Sequence, residues 1–235
     1  MAPNHLYQYS IMNALMAGIA DGGITVGEYV KKGNQGVGTF VEMKGELILI
    51  DGEVYRMKSD GTTDKAAAHE QLPYAVATHF EPQRTIRQGL TSKAGVEAVL
   101  RQHSGKAGNL FISFRITGRF SKMRCRSVGG QMYPHQPLSE VGETQTERTF
   151  HDIEGVIVGI RSPKSWQGVS VAGEHMHFID NDRNKGGHVL ELCADGEVEF
   201  GLAVISHLHV ELPTSDGFNE AGLATDDSGL HKVEG

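Results

Sequence analysis

From residue 36 to residue 57 the chain reads "GVGTFVEMKGELILIDGEVYRM", with apolar side chains recurring every second position. Side chains on a strand point alternately to its two faces, so this pattern predicts three strands, with turns at Lys44-Gly45 and Asp51-Gly52. The same period returns in "YAVATHF", "NLFISFRITGRFSKMRCRSV", "TFHDIEGVIVGI", "GVSVAGEHMHFID" and "GHVLELCADGEVEFGLAVISHLHVELP". Helical spacing is confined to fewer segments. Leu6, Tyr9, Met12, Leu15, Met16 and Ile19 predict an amphipathic helix over residues 6–20, and "TVGEYVKKGN" predicts a second, short one. "TSKAGVEAVLRQHS" predicts a third, with Thr91 or Ser92 as its N-cap. "YPHQPLSEVGETQTE", with Pro134 and Pro137 in a polar run, reads as an exposed connection, and "TSDGFNEAGLATDDSGLHKVEG" as a tail with little apolar periodicity.

These elements predict a strand-rich α/β or α+β protein of two sheet-containing halves. The expected division is a mixed β-sheet domain with helices at residues 1–130 and a second β domain at 131–235. The 30 glycines among 235 residues, well above the usual ~7%, fit a chain with many tight turns.

A formal net charge of −7, with no dense run of Lys or Arg, argues against a nucleic-acid partner. Two cysteines, Cys125 and Cys193, give neither a disulfide framework nor a thiolate zinc site. They point to a reducing compartment, and the apolar N-terminal run lacks a basic leader and is too short to cross a bilayer. A cytoplasmic protein that does not engage membranes is the expectation. No G-x-G-x-x-G or P-loop lysine motif is present, so no nucleotide cofactor is expected.

The chemistry concentrates in residues 173–191, "GEHMHFIDNDRNKGGHVLE". Histidines two apart on a strand share a face, with Cα atoms ~6.6–6.8 Å apart, so His175 and His177 can converge on one ion while Met176 faces a core. The turn formers of "FIDNDRNKGG" predict a reversal that returns His188 beside the pair, with Asp180 and Asp182 as turn residues. Three neutral imidazoles leave a coordination position open, as catalytic zinc sites do. Zinc is favoured over iron because an iron facial triad wants a carboxylate beside two histidines. Composition alone leaves iron, manganese and nickel open, and with them a cupin-like metal dioxygenase or a non-catalytic metal- or sugar-binding module. A second pair, His207 and His209, has no third histidine across a tight turn and reads as structural.

The same stretch resembles the zinc-binding segment of acetolactate decarboxylases, G-x-H-x-H-F-x-x-x-D-R-x-x-G-G-H. The region from "LYQYSIMNALMAGIADGG" through "GTF" and "GELI", the strand "FRITGRFSKMRCRSV" and the final "VE" resemble the same family, so the likeness spans nearly the whole chain. It implies conversion of 2-acetolactate to acetoin and carbon dioxide through a zinc-chelated enediolate, with the metal in a cleft between two β-sheet domains. Carried over by motif, the zinc ligands are His175, His177 and His188, and the other active-site residues are Thr39, Glu46, Arg126 and Glu234. Arg126 would hold the carboxylate or the enediolate, with either this residue or a metal-bound water delivering the proton. Glu46 and Glu234 would serve as acid or orienting groups. Glu234 also implies a tail folded back over the cleft. The resemblance further implies action on both enantiomers through carboxylate migration, and the expected assembly is a homodimer.

Overall fold

Strand-forming segments this numerous need facing surfaces to bury, and the chain supplies them by building two sheets that pack against each other. The computed structural model describes residues 2–223. Strand β1 (Leu6–Tyr9) leads to helix α1 (Met12–Met16), strand β2 (Ile24–Thr25) and helix α2 (Val26–Tyr29). Strands β3 (Gln35–Thr39), β4 (Glu46–Ile50), β5 (Glu53–Met57), β6 (Thr63–Lys65), β7 (Gln71–Leu72) and β8 (Tyr74–Thr78) follow. Then come β9 (Arg84–Gly89), α3 (Lys93–His103), β10 (Phe111–Ser127), α4 (Leu138–Val141) and β11 (Thr146–Ser162). The described chain finishes with β12 (Gly173–Asp180), β13 (Gly186–Ala194), β14 (Glu197–Ile205), β15 (Leu208–Glu211) and α5 (Asp216–Glu220).

The first sheet has the order β15-β1-β8-β3-β4-β5-β6, and the second β11-β12-β13-β10-β14-β9. Long β10 pairs with β11 along one edge and with β14 and then β13 along the other. Strands β10, β11, β12 and β13 therefore close on themselves, and closure removes edges that would otherwise be open. The sheets meet through Val37, Ile48, Ile50 and Met57 of the first and Val156, Val158 and Ile179 of the second. Behind the second sheet, Phe114, Phe120, Met176, Phe178 and Val189 pack with Val96, Val99 and Leu100 of α3. Behind the first, Leu47, Leu49, Ala75 and Ala77 pack under α2 and the segment around Ile24. This is a strand-rich α+β architecture with a cleft between two sheets.

Three expectations change. The sheets do not coincide with residues 1–130 and 131–235, because the chain passes to the second sheet between Thr78 and Arg84 and returns with β15. The polar stretch around 131–145 joins β10 to β11, two paired strands of one sheet, so it is an excursion from a hairpin. The helix expected over 6–20 is instead a strand followed by a five-residue helix. Leu6, Tyr7 and Gln8 are buried because β1 lies between β8 and β15, and Ser10 breaks the run with φ of 66°. Finally, the Pro-rich connection contains α4, whose Leu138 and Val141 are buried.

The hairpins around 44–45 and 51–52, the strands at 74–78 and 111–127 and the helix capped by Ser92 follow the sequence pattern. Asp51 and Gly52 both take positive φ, 53° and 80°, as a tight two-residue hairpin turn requires.

Candidate metal centre and active site

His175 and His177 lie on β12 with Met176 between them, and alternation turns the two imidazoles toward the first sheet and Met176 into the core behind. The turn after β12 is fixed by Asp180, whose Oδ1 accepts from the backbone N–H groups of Asn184 at 2.7 Å and Lys185 at 2.9 Å. It returns β13 antiparallel, so that His188 stands directly opposite His177. Two glycines make this approach possible. A Cβ on Gly186 would meet the Phe178 carbonyl oxygen at 2.3 Å and Met57 Sδ at 2.6 Å, and one on Gly187 would meet the Arg126 carbonyl oxygen at 2.6 Å.

All three histidines are buried, with ring centroids 5.0, 5.1 and 5.4 Å apart. One nitrogen from each lies within 4.8 Å of the others, the one such three-residue group among the described residues. Burial, with Arg126 and Lys93 nearby, pushes His175 down to about 3 and His188 well below its ordinary value. Both are therefore neutral at neutral pH, the form a metal ligand requires. His177 Nδ1 donates to the carbonyl oxygen of Leu47 at 2.6 Å, which fixes the tautomer and turns Nε2 inward. Nε2 faces Glu46 Oε2 at 3.5 Å. Two acceptors confront each other there unless a cation or proton lies between them, so the donor set fits a divalent metal of the nitrogen-preferring class.

The opposite wall comes from both sheets. Arg126 lies beside His188 in the β10–β13 register, is 3% exposed, and donates from Nη1 to Glu46 Oε1 at 3.2 Å. Glu46 is paired across the first sheet with Thr39, and Thr39 with Tyr74. Thr39 Oγ1 donates to the Gly45 carbonyl oxygen at 2.8 Å. Arg124, two residues from Arg126, is instead part of a near-surface network with Glu147 and Glu191. The fold thus brings together six of the seven residues singled out from the sequence, His175, His177, His188, Arg126, Glu46 and Thr39. Glu234 lies outside the described residues.

Sequence reasoning missed the apolar side of the site. Between the walls is a cavity of about 20 Å³ lined by Met12, Leu15, Met43, Tyr74, Val128 and Leu138 together with Thr39, Glu46, Arg126 and His175. Met12 and Leu15 stand three apart on α1, a spacing the sequence shows; nothing in the polar stretch around Leu138 marks it. His207 and His209 lie elsewhere, the first just before the edge strand β15 and the second on it, where they stack on His5 and Tyr7 respectively. Glu174 points away from the triad, as alternation requires, into a separate cleft of about 800 Å³ shared with Glu97, Arg101 and Arg161.

Comparison with known proteins agrees with this geometry. Residues 6–225 match the family described as alpha-acetolactate decarboxylase. The alpha-acetolactate decarboxylase of Klebsiella aerogenes is 35% identical, covering 97% of this chain and 88% of that protein. That of Lactococcus lactis subsp. cremoris is 38% identical, covering 90% of this chain and 89% of that protein. The crystal structure of the alpha-acetolactate decarboxylase from Bacillus subtilis strain 168 superposes with a TM-score of 0.93 at 33% identity, covering 98% of this chain and 99% of that one. With similarity of sequence and fold over nearly its whole length, this chain belongs to the alpha-acetolactate decarboxylase family.

Proposed function

We propose that this chain is a carboxy-lyase converting 2-acetolactate to acetoin and carbon dioxide, with zinc as its metal. The observation that carries the reading is the enclosed meeting of three buried imidazoles with the Arg126–Glu46 pair, drawn from two facing sheets. Family membership supports the same substrate.

In 2-acetolactate the ketone stands beside the carbon that bears the carboxylate. When the bond to the carboxylate breaks, carbon dioxide leaves and its electron pair passes toward the ketone, giving an enediolate; a proton added to the former carboxylate-bearing carbon completes acetoin. Zinc held by His175, His177 and His188 would supply a Lewis acid for the oxygens on which that negative charge develops. Arg126 offers a planar fork of donors to the departing carboxylate and afterwards to the enediolate. Glu46 holds that fork in place and, when protonated, is an acid within the same wall. The Thr39 hydroxyl, its proton committed to the Gly45 carbonyl, offers lone pairs to the substrate hydroxyl. A guanidinium is a very weak acid, so Arg126 orients the proton donor rather than serving as one. Glu234, which lies outside the described residues, belongs to the proposed set through the family resemblance, as a second carboxyl.

The proposal extends to both enantiomers, through migration of the carboxylate between adjacent carbons, since either isomer offers the same pair of oxygens. A homodimer in the cytoplasm is the proposed state, and the free thiols of Cys125 and Cys193 fit a reducing compartment. The test is acetoin release from racemic 2-acetolactate. Consumption beyond half of the racemate is expected; a halt at half would remove the dual-enantiomer claim, and no acetoin would remove the reading altogether.

A further inference from the structure

The two walls of the cavity are built differently. Thr39, Glu46, Arg126 and His175 line it from paired strands, and their positions are fixed by ladder hydrogen bonds in both sheets. The facing apolar wall is not part of either sheet where Leu15 and Leu138 supply it. Leu15 lies on the five-residue α1 and Leu138 on the four-residue α4, and both belong to one apolar cluster with Met12, Met43 and Val128. Each leucine is 5% exposed.

The cavity holds about 20 Å³, room for about one water molecule. A substrate of several carbons therefore needs one wall to yield. Short helices tethered by loops yield more readily than strands in a ladder, so of the two walls the helical one is the better suited to adjust to a substrate. Resting on the decarboxylase reading above, the chemistry of carbon 2 says what that surface meets. Carbon 2 is tetrahedral. Its hydroxyl, its carboxylate and the neighbouring ketone are the groups the polar wall recognises, which leaves the fourth substituent, an alkyl group, for the apolar side.

We propose that Leu15 and Leu138 are specificity-determining residues, which pack on the alkyl group at carbon 2 and set the length of the 2-alkyl-2-hydroxy-3-oxo acid that this chain decarboxylates. Met12 and Met43 line the same wall, but an unbranched thioether adapts its shape and discriminates less than a leucine.

The test compares kcat/KM for 2-acetolactate, with methyl at carbon 2, against homologues with ethyl and n-propyl there. In Leu138→Ala and in Leu15→Ala the propyl-to-methyl ratio should rise about tenfold or more, since one methylene in an apolar pocket is worth roughly 10–200-fold. Leu138→Phe should move the ratio the other way. If Leu138→Ala does not fold by circular dichroism, Leu138→Val carries the same comparison with a smaller truncation. Ratios within twofold of wild type in the folded variants, whatever their absolute rates, would overturn the proposal. A wild-type chain that releases carbon dioxide and the matching 3-hydroxy-2-ketone (acetoin from the methyl acid) from none of the three acids instead defeats the decarboxylase reading itself, so the two failures are told apart.

Discussion

The Nδ1–H of His177, on the second sheet, is held by the backbone carbonyl of Leu47, on the first, at 2.6 Å. The candidate metal centre is thus oriented from across the sandwich by a main-chain group that survives any side-chain substitution at position 47. His177→Ala should strip the donor from a buried carbonyl. In the metal-free protein this should lower unfolding free energy by about 1–3 kcal/mol, read from the shift of the urea midpoint. A midpoint unchanged from wild type would show that the cross-sheet bond has no structural weight.

Arg126 and Glu46 form an ion pair that is nearly excluded from solvent, at 3% and 8% side-chain exposure. Removing the carboxylate of such a pair costs more than removing a surface charge, because a buried cation then lacks its counter-charge. Glu46→Gln should destabilise by about 3 kcal/mol in urea titrations. Arg126→Lys keeps the charge but loses the planar fork, and should lower kcat/KM more than about tenfold while the circular dichroism spectrum stays native.

Much of this site was legible in the sequence, and the reasons are local. Alternation put His175 and His177 on one face, and the Asp180 turn with its Gly-Gly exit brought His188 back, because each of those steps is decided within about fifteen residues. Arg126 and Glu46 were legible through resemblance alone. Their meeting depends on two strands 80 residues apart in sequence facing each other across the sandwich, which no local period encodes. Leu6–Tyr9 misled for a related reason. A strand covered on both faces loses its period of two, and its apolar positions then ran on into those of α1 as a false helical pattern. Leu138 was hidden by the prolines and polar residues around it, since its burial depends on folding back over a site made elsewhere.

One exposed contact ties the sheets together and gives a pH signature. Arg115 on β10 donates through Nη1 and Nη2 to Asp51 at 2.6 and 3.2 Å, which holds that carboxyl below the usual carboxylate range. The unfolded chain therefore binds a proton here at higher pH than the folded one. The stabilisation is complete above the ordinary aspartate value and disappears as pH falls through the folded one. Asp51→Asn keeps a residue tolerant of positive φ, so the turn should persist. At neutral pH it should cost about 0.5 kcal/mol, as surface pairs do. The difference from wild type should vanish in strong acid; a difference that persists there would point to the turn rather than to the charge.

The two cysteines should behave differently. Cys125 is buried, and burial pushes its thiol far above the ordinary value, whereas Cys193 is partly exposed. Native protein treated with iodoacetamide should be alkylated at Cys193 and spared at Cys125, with both modified after denaturation, as read by peptide mass spectrometry. Early modification of Cys125 would show that the core around β10 opens under native conditions.

A metal held by His175, His177 and His188 is proposed to drive acetoin formation. Metal content and acetoin release should therefore be measured together for the wild-type chain as purified, after chelation, after zinc is restored, and for His188→Ala. About one metal ion per wild-type chain is expected, with loss of activity on chelation, recovery with zinc, and neither metal nor activity in a folded His188→Ala protein. Full activity from a chain freed of metal, or from His188→Ala, would contradict it.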